Sequence, residues 1–237
     1  GKTTLAALIA RSIKEKKLGS VLAVDADPNS NLGEMLGVPD GDTIGEILDK
    51  IARHPGKVPA GMSKDRFLEY QVQMVIAEGG GVDVLTMGRP EGPGCYCYVN
   101  SVLRNIMAKL IKEYDYTVID NEAGLEHLSR RTTRAADALV VVSDETAVGL
   151  KAAKRIAGLV KELDIKTGKR LLILNRSKGK TRPVDIQGLD LELIGRIPQD
   201  FEIENISLNG GSLMELKKDA LSLIALREFG EKIWQNR

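Results

Sequence analysis

The sequence predicts an α/β fold: a doubly wound, mostly parallel sheet flanked by helices. Three observations carry the prediction. Short continuous apolar runs, such as Val21-Leu22-Ala23-Val24 and Leu171-Leu172-Ile173-Leu174, have the length and unbroken apolar character of strands buried on both faces. These runs alternate with segments whose apolar residues recur at helical spacing, the pattern of βαβ units. Several of the runs empty into a carboxylate or an amide (Asp25, Asp120, Asn175), at the strand ends where open α/β sheets place ligands.

In chain order, Leu5, Leu8, Ile9 and Ile13 predict a helix that opens at Lys2 and fades in Lys14 to Lys17, with Gly19 as its stop. The strand Val21 to Val24 leads into Asp25-Ala26-Asp27-Pro28-Asn29. Thr43 followed by Glu46 reads as a capping box for a helix through Ile51. A loop bearing Pro55, Gly56, Pro59 and Gly61 follows, then a helix from Ser63 that Gly79-Gly80-Gly81 breaks. Val82 to Met87 is a strand, and Gly88 to Cys97 a loop dense in turn residues. A helix through Val102, Leu103, Ile106, Leu110 and Ile111 precedes a strand over Tyr116 to Asp120. The second half repeats the theme: strand Ala138 to Val142, helix Leu150 to Leu163, strand Leu171 to Leu174, strand Leu191 to Ile197. A last helix spans Met214 to Trp234; with Glu228 and Glu231 and few basic residues, it reads as docked on the core rather than as a membrane-targeting tail.

Composition bounds the function. The 237 residues, 43% hydrophobic and 28% charged, are enough for one large core, and a single domain over 1–237 is expected. Lys plus Arg (34) balances Asp plus Glu (33), which removes the bulk basic charge that nucleic-acid binding would use. No apolar run approaches the roughly 20 residues of a membrane span, and no secretory leader pattern is present. Cys95 and Cys97 are too few for a disulfide framework. A cytoplasmic protein, partnered with neither membrane nor nucleic acid, is the expectation.

The chemistry gathers at the predicted strand ends. Gly1-Lys2-Thr3-Thr4 matches the close of a phosphate-binding loop, in which backbone N–H groups cradle phosphates, the lysine neutralises them and the hydroxyl holds Mg²⁺. Such a loop must open a helix, because the helix N-terminus adds unpaired N–H groups and a positive dipole. Asp120 suits a Walker-B carboxylate that shares Mg²⁺ with Thr3, and Asp27 suits orientation of the attacking water. Each also has an ordinary use, since an Asp after a strand caps helices and Asp-Pro starts turns. In an extended Cys95-Tyr96-Cys97 both sulfurs point to one side. Thiolates select soft or borderline metals, and two of them leave a four-coordinate shell half filled, which a two-fold axis would complete. A reduced buried pair or a redox pair are the alternatives.

Taken together, Gly1-Lys2-Thr3, Asp25-x-Asp27-Pro28, Ile119 to Gly124, Asn175-Arg176 and Ile197-Pro198-Gln199-Asp200 resemble, in order and along essentially the whole chain, the deviant-Walker ATPases. That group includes septum-site and plasmid-partition ATPases and the nitrogenase iron protein. The resemblance implies ATP-driven face-to-face homodimerisation, with hydrolysis releasing the dimer. It implies that Lys2, Asp27 and Asp120 are catalytic and that Gly1, Lys2, Thr3 and Thr4 hold phosphates. Asn175 would read the adenine, with Arg176, Pro198 and Asp200 beside it; Thr3, Asp25 and Asp120 would bind magnesium. Asp25 and Asp27 would form one switch, Asp120 to Gly124 another. The segments Arg89 to Cys97 and Asp120 to His127 are further similar to the CooC-type accessory ATPases of carbon monoxide dehydrogenase. Their implied task is nickel delivery to that enzyme's cluster, through Ni²⁺ or Zn²⁺ held by Cys95 and Cys97 across the dimer. An ATP-coupled iron–sulfur reductase and a positioning ATPase are the alternative readings. Because the family's phosphate loop and its strand begin upstream of Gly1, weak ATP binding is expected of the chain as it stands.

Overall fold

The computed structural model describes residues 1–39, 41–54, 58–88, 97–122, 135–178 and 183–235. Helix α1 (Lys2–Glu15) opens the chain, and β1 (Val21–Ala26) follows, every residue of it buried. Parallel partners lie on both sides of β1: β3 (Val82–Thr86) and β4 (Tyr116–Asn121). A second parallel set, in spatial order β5-β6-β7, consists of β5 (Ala135–Ser143), β6 (Lys166–Ser177) and β7 (Glu192–Pro198).

Because neighbouring residues of a strand face opposite ways, β1 serves two cores. Val21 and Ala23 pack with Leu5, Leu8, Ile9 and Ile13 of α1, and with Leu171 and Ile173 of β6. Leu22 and Val24 face the other way. There they meet α3 (Ile44–Arg53) through Ile44 and Ile47, α4 (Lys64–Met74) through Leu68 and Val72, and α5 (Cys97–Leu110) through Leu103 and Met107. Helix α1 is therefore the member common to both strand sets. Between β4 and β5 lies a slot of about 830 Å³ whose lining includes Leu5, Ala6, Ile9 and Ile13 of α1. Among the described residues the two sets exchange no strand pairing across it, so the expected sheet is seen as two parallel arrays joined by a helix.

Local chemistry explains most boundaries. The Thr43 hydroxyl accepts the Glu46 N–H at 3.2 Å while the Glu46 carboxylate accepts the Thr43 N–H at 2.8 Å, the reciprocal cap expected for α3. Ser63 caps α4. Helix α6 (Ala147–Glu162) begins where the Thr146 hydroxyl accepts the Gly149 N–H. Two expectations change. The helix from Ser63 ends at Met74, well before the glycines. Gly80 and Gly81, at φ +43° and +98°, form instead the two-residue turn of a hairpin that adds β2 (Ala77–Gly79) antiparallel to β3, as adjacent positive φ angles favour. The last helix is not continuous from Met214 to Trp234. A 3₁₀ turn at Leu213–Glu215 is followed by extended Leu216, then α8 (Leu221–Phe229) and a short α9 (Glu231–Trp234). Its start is dictated from outside, by a carboxylate at the end of β7. The apolar face of α8 (Leu223, Leu226, Phe229) is buried, as a docked helix requires. Helices α2 (Leu32–Met35) and α7 (Phe201–Asn209) were not anticipated.

No helix among the described residues is long and apolar enough to cross a membrane.

Candidate nucleotide site

The first turn of α1 carries no acidic residue and begins at Lys2, so the positive end of a 14-residue helix and a lysine charge act together. Facing it are the ends of β1 and β4. Asp25 and Asp120 are register partners on these adjacent parallel strands, which puts two carboxylates side by side, 0% and 3% exposed. Both carboxyls are raised above the usual range, burial being the largest cause: Asp25 to about 6, and Asp120 in the same direction.

Their hydrogen bonds divide the work. Asp25 spends both oxygens on its own loop, Oδ1 accepting the Asp27 N–H at 3.0 Å and Oδ2 the Leu32 N–H at 2.8 Å. It thereby folds residues 25–32 and starts α2. Asp120 is bonded to the Thr3 side chain and lies within the field of Lys2, yet its Oδ2 is buried without a hydrogen-bond partner. A buried unpaired carboxylate oxygen is costly, and this one lies beside the hydroxyl that the sequence pairs with Mg²⁺. The donor set of Thr3 hydroxyl and Asp120 carboxylate thus fits a hard divalent cation. Asp27 is partly exposed, its Oδ1 accepting the Asn29 N–H at 2.9 Å in an Asx turn.

The second half of the site is built at the ends of β6 and β7. In their ladder Leu174 faces Arg196 and Ser177 faces Pro198, so β6 carries one extra residue, a bulge at Asn175 and Arg176. Arg176 takes the left-handed conformation (φ +55°), and its N–H donates to Asn175 Oδ1 at 2.9 Å. The bulge sends Asn175 to Gly1, where a β-carbon would lie 2.2 Å from Asn175 Nδ2. Glycine there allows the contact. A cavity of about 380 Å³ opens at this point, lined by Gly1, Thr4, Asn175, Arg176, Pro198 and Asp200. Residues nominated from three separate stretches of sequence therefore meet in one place, with a volume in the range of small-molecule pockets.

Asp200 enters differently from expectation. It lines the cavity, but its carboxylate is 7% exposed and turned into the junction of α7 and α8. Oδ1 accepts the Glu202 N–H at 3.0 Å, capping α7; Oδ2 accepts the Ser222 N–H and hydroxyl at 2.9 and 2.7 Å. The sequence reading missed the wall that α7 contributes, Ile203, Glu204, Ser207 and Leu208. The signals for this helix were present: an Asp cap before it and Gly210, at φ +67°, closing it. Cys95 lies outside the described residues, as do the rest of 89–96 and residues 123–127 of the second CooC-like segment; Cys97 is the first residue of α5.

A helix N-terminus bearing Lys2 and Thr3, a carboxylate at the end of a nearby parallel strand and a base-sized cavity form the site of a P-loop ATPase. The chain belongs to the family described as an AAA domain, whose model matches residues 1–173. It is 41% identical to an uncharacterized ATP-binding protein of Methanocaldococcus jannaschii, over 98% of this chain and 94% of the relative. It is 28% identical to the carbon monoxide dehydrogenase accessory protein CooC of Rhodospirillum rubrum, over 91% and 86%. Among solved structures, the septum site-determining protein MinD complexed with Mg-ADP from Pyrococcus horikoshii superposes with a TM-score of 0.69 at 22% identity, covering 99% of this chain and 91% of that one.

Proposed function

We propose that this chain is an ATP-hydrolysing metallochaperone that dimerises on nucleotide binding and delivers nickel for maturation of a carbon monoxide dehydrogenase cluster. The observation that carries the nucleotide half is the convergence of Gly1, Thr4, Asn175 and Arg176 on one cavity, together with the unpartnered oxygen of Asp120 beside Thr3. The metal half rests on the i, i+2 pair Cys95 and Cys97 and on the likeness to the Rhodospirillum rubrum accessory protein.

In this reading Lys2 and the N–H groups at the start of α1 hold the phosphates. Thr3 and Asp120 would hold Mg²⁺, which when bound would supply charge neutralisation at the phosphates; Asp25, buried beside Asp120, keeps the 25–32 loop in shape. Asp27, the partly exposed carboxylate of that loop, orients the attacking water. Asn175 and Arg176 face the base, with Pro198 packed beside it. Nickel is cargo: two copies related by a two-fold axis bring four thiolates together, and hydrolysis separates them.

Metal analysis of the purified protein with and without a non-hydrolysable ATP analogue tests this reading. One Ni²⁺ or Zn²⁺ per dimer is expected with the analogue, lost in Cys95→Ser and Cys97→Ser while ATP binding persists. Metal retained by the double variant would refute the cargo site. The whole-length likeness to a septum-site MinD favours a second reading, a positioning ATPase. ATP-dependent co-sedimentation with anionic lipid vesicles would support that one instead.

A further inference from the structure

The strand end that carries Asn175 is held by a residue outside the cavity. Glu145 lies in the short connection between β5 and α6, and its Oε1 accepts both the Ser177 hydroxyl, at 2.8 Å, and Arg196 Nη1. These two donors flank the β6 bulge. Arg196 stands opposite Leu174, the last paired residue before it, and Ser177 stands opposite Pro198, the first paired residue after it. A bulge leaves its extra residue outside the ladder, so strand pairing does not fix where that residue points. One carboxylate therefore clamps both edges of the segment whose own conformation the ladder leaves open. The clamp extends to the opposite wall of the cavity, because the Ser177 carbonyl accepts the Gln199 N–H at 3.1 Å.

We propose that Glu145 is a positioning residue for base recognition, fixing the height and the amide orientation of Asn175 and so the preference for adenine over guanine. This rests on the reading of the 380 Å³ cavity as the base site. The chemical reason lies in the amide. An Asn side chain offers a donor and an acceptor, and a half-turn exchanges them. Here Oδ1 is tied to the Arg176 N–H and Nδ2 lies against Gly1, so a clamped bulge presents one order only. Guanine carries the opposite donor–acceptor order to adenine at its Watson–Crick edge. A bulge released from Glu145 lets the amide turn and accept either base. The two hydrogen bonds of the clamp run to Ser177 and Arg196, not to Lys2 or Thr3 at the start of α1, so phosphate binding there is expected to persist.

The experiment uses the 237-residue chain and its Glu145→Ala and Ser177→Ala variants, the second removing one clamp hydrogen bond while keeping the Glu145–Arg196 ion pair should the first unfold. Two readouts are taken: the Asn175 side-chain amide resonance without nucleotide, and dissociation constants for ATP and GTP by competition against a fluorescent ATP analogue. In the variants the amide resonance is expected to shift or broaden, and the ATP-over-GTP preference to fall roughly tenfold, the equivalent of one hydrogen bond to base. An unmoved resonance, or an unchanged ATP-to-GTP ratio in folded variants, overturns the proposal. If the resonance moves but the unsubstituted chain shows no base preference, the base-site reading falls and the specificity claim with it, while the clamp itself stands.

Discussion

Replacing Asp200 by alanine removes three hydrogen bonds at once, and the structure sets the size of the loss. Its carboxylate caps α7 through the Glu202 N–H and holds the first turn of α8 through the Ser222 N–H and hydroxyl. Losing an N-cap costs about 1 kcal/mol. A hydrogen bond to a charged acceptor contributes about 1.5–3 kcal/mol. Ser222 is 0% exposed, so its N–H keeps no access to water once the acceptor is gone. Relief of the buried carboxylate's own desolvation offsets part of this, and the hydroxyl can rotate, so about 3 kcal/mol is expected for Asp200→Ala. Asp200→Asn retains the α7 cap but turns an amide nitrogen toward the Ser222 N–H, donor against donor, and should cost about 1–2 kcal/mol. Ser222→Ala removes one bond, for about 1 kcal/mol. Urea denaturation followed by the fluorescence of Trp234, the single tryptophan, measures the series. A loss below about 1 kcal/mol for Asp200→Ala, or an Asn variant as damaging as alanine, would refute the claim that this carboxylate stitches α7 to α8.

Two further outcomes are expected. A β-carbon at Gly195 would lie 2.0–2.4 Å from the ring of Phe229, which is 6% exposed in the core, so Gly195→Ala should destabilise by about 1–3 kcal/mol, read as a lower urea midpoint at unchanged slope. The pH dependence follows from Asp25. Its folded-state pKa, about 6, exceeds the ordinary 3.8, so the folded protein binds the proton more tightly than the unfolded chain, and stability falls as pH rises from about 4 through 6. Burial of Asp120 acts in the same direction. Measured in EDTA, Asp25 should make the chain about 2 kcal/mol less stable at pH 7 than at pH 4. Stability that rises across this window, or a slope as steep in Asp25→Asn, would refute the assignment.

The amino-acid pattern by itself determined the parallel α/β plan, because strands buried on both faces must be written as unbroken apolar runs, and β1 is one. It determined the cap of α3, which depends on two side chains three residues apart. It also nominated Lys2 and Thr3 at the start of the first helix, and Asp25, Asp120 and Asn175 where buried strands end. What it could not determine is which atoms of those residues are free. Asp25 and Asp120 are the same residue type at equivalent positions, and only the tertiary structure distinguishes them: one has both oxygens taken by backbone N–H groups, the other keeps Oδ2 unpartnered. Helix α8 starts at Leu221 because a carboxylate 22 positions away captures Ser222, and no local periodicity encodes that bond. Asn175 reaches Gly1 because β6 bulges against β7, a register offset between strands that neither strand expresses alone. Local sequence fixes periodicity and caps, which act over one turn; hydrogen bonds between distant segments decide which polar groups are spent on the fold and which are left for a ligand.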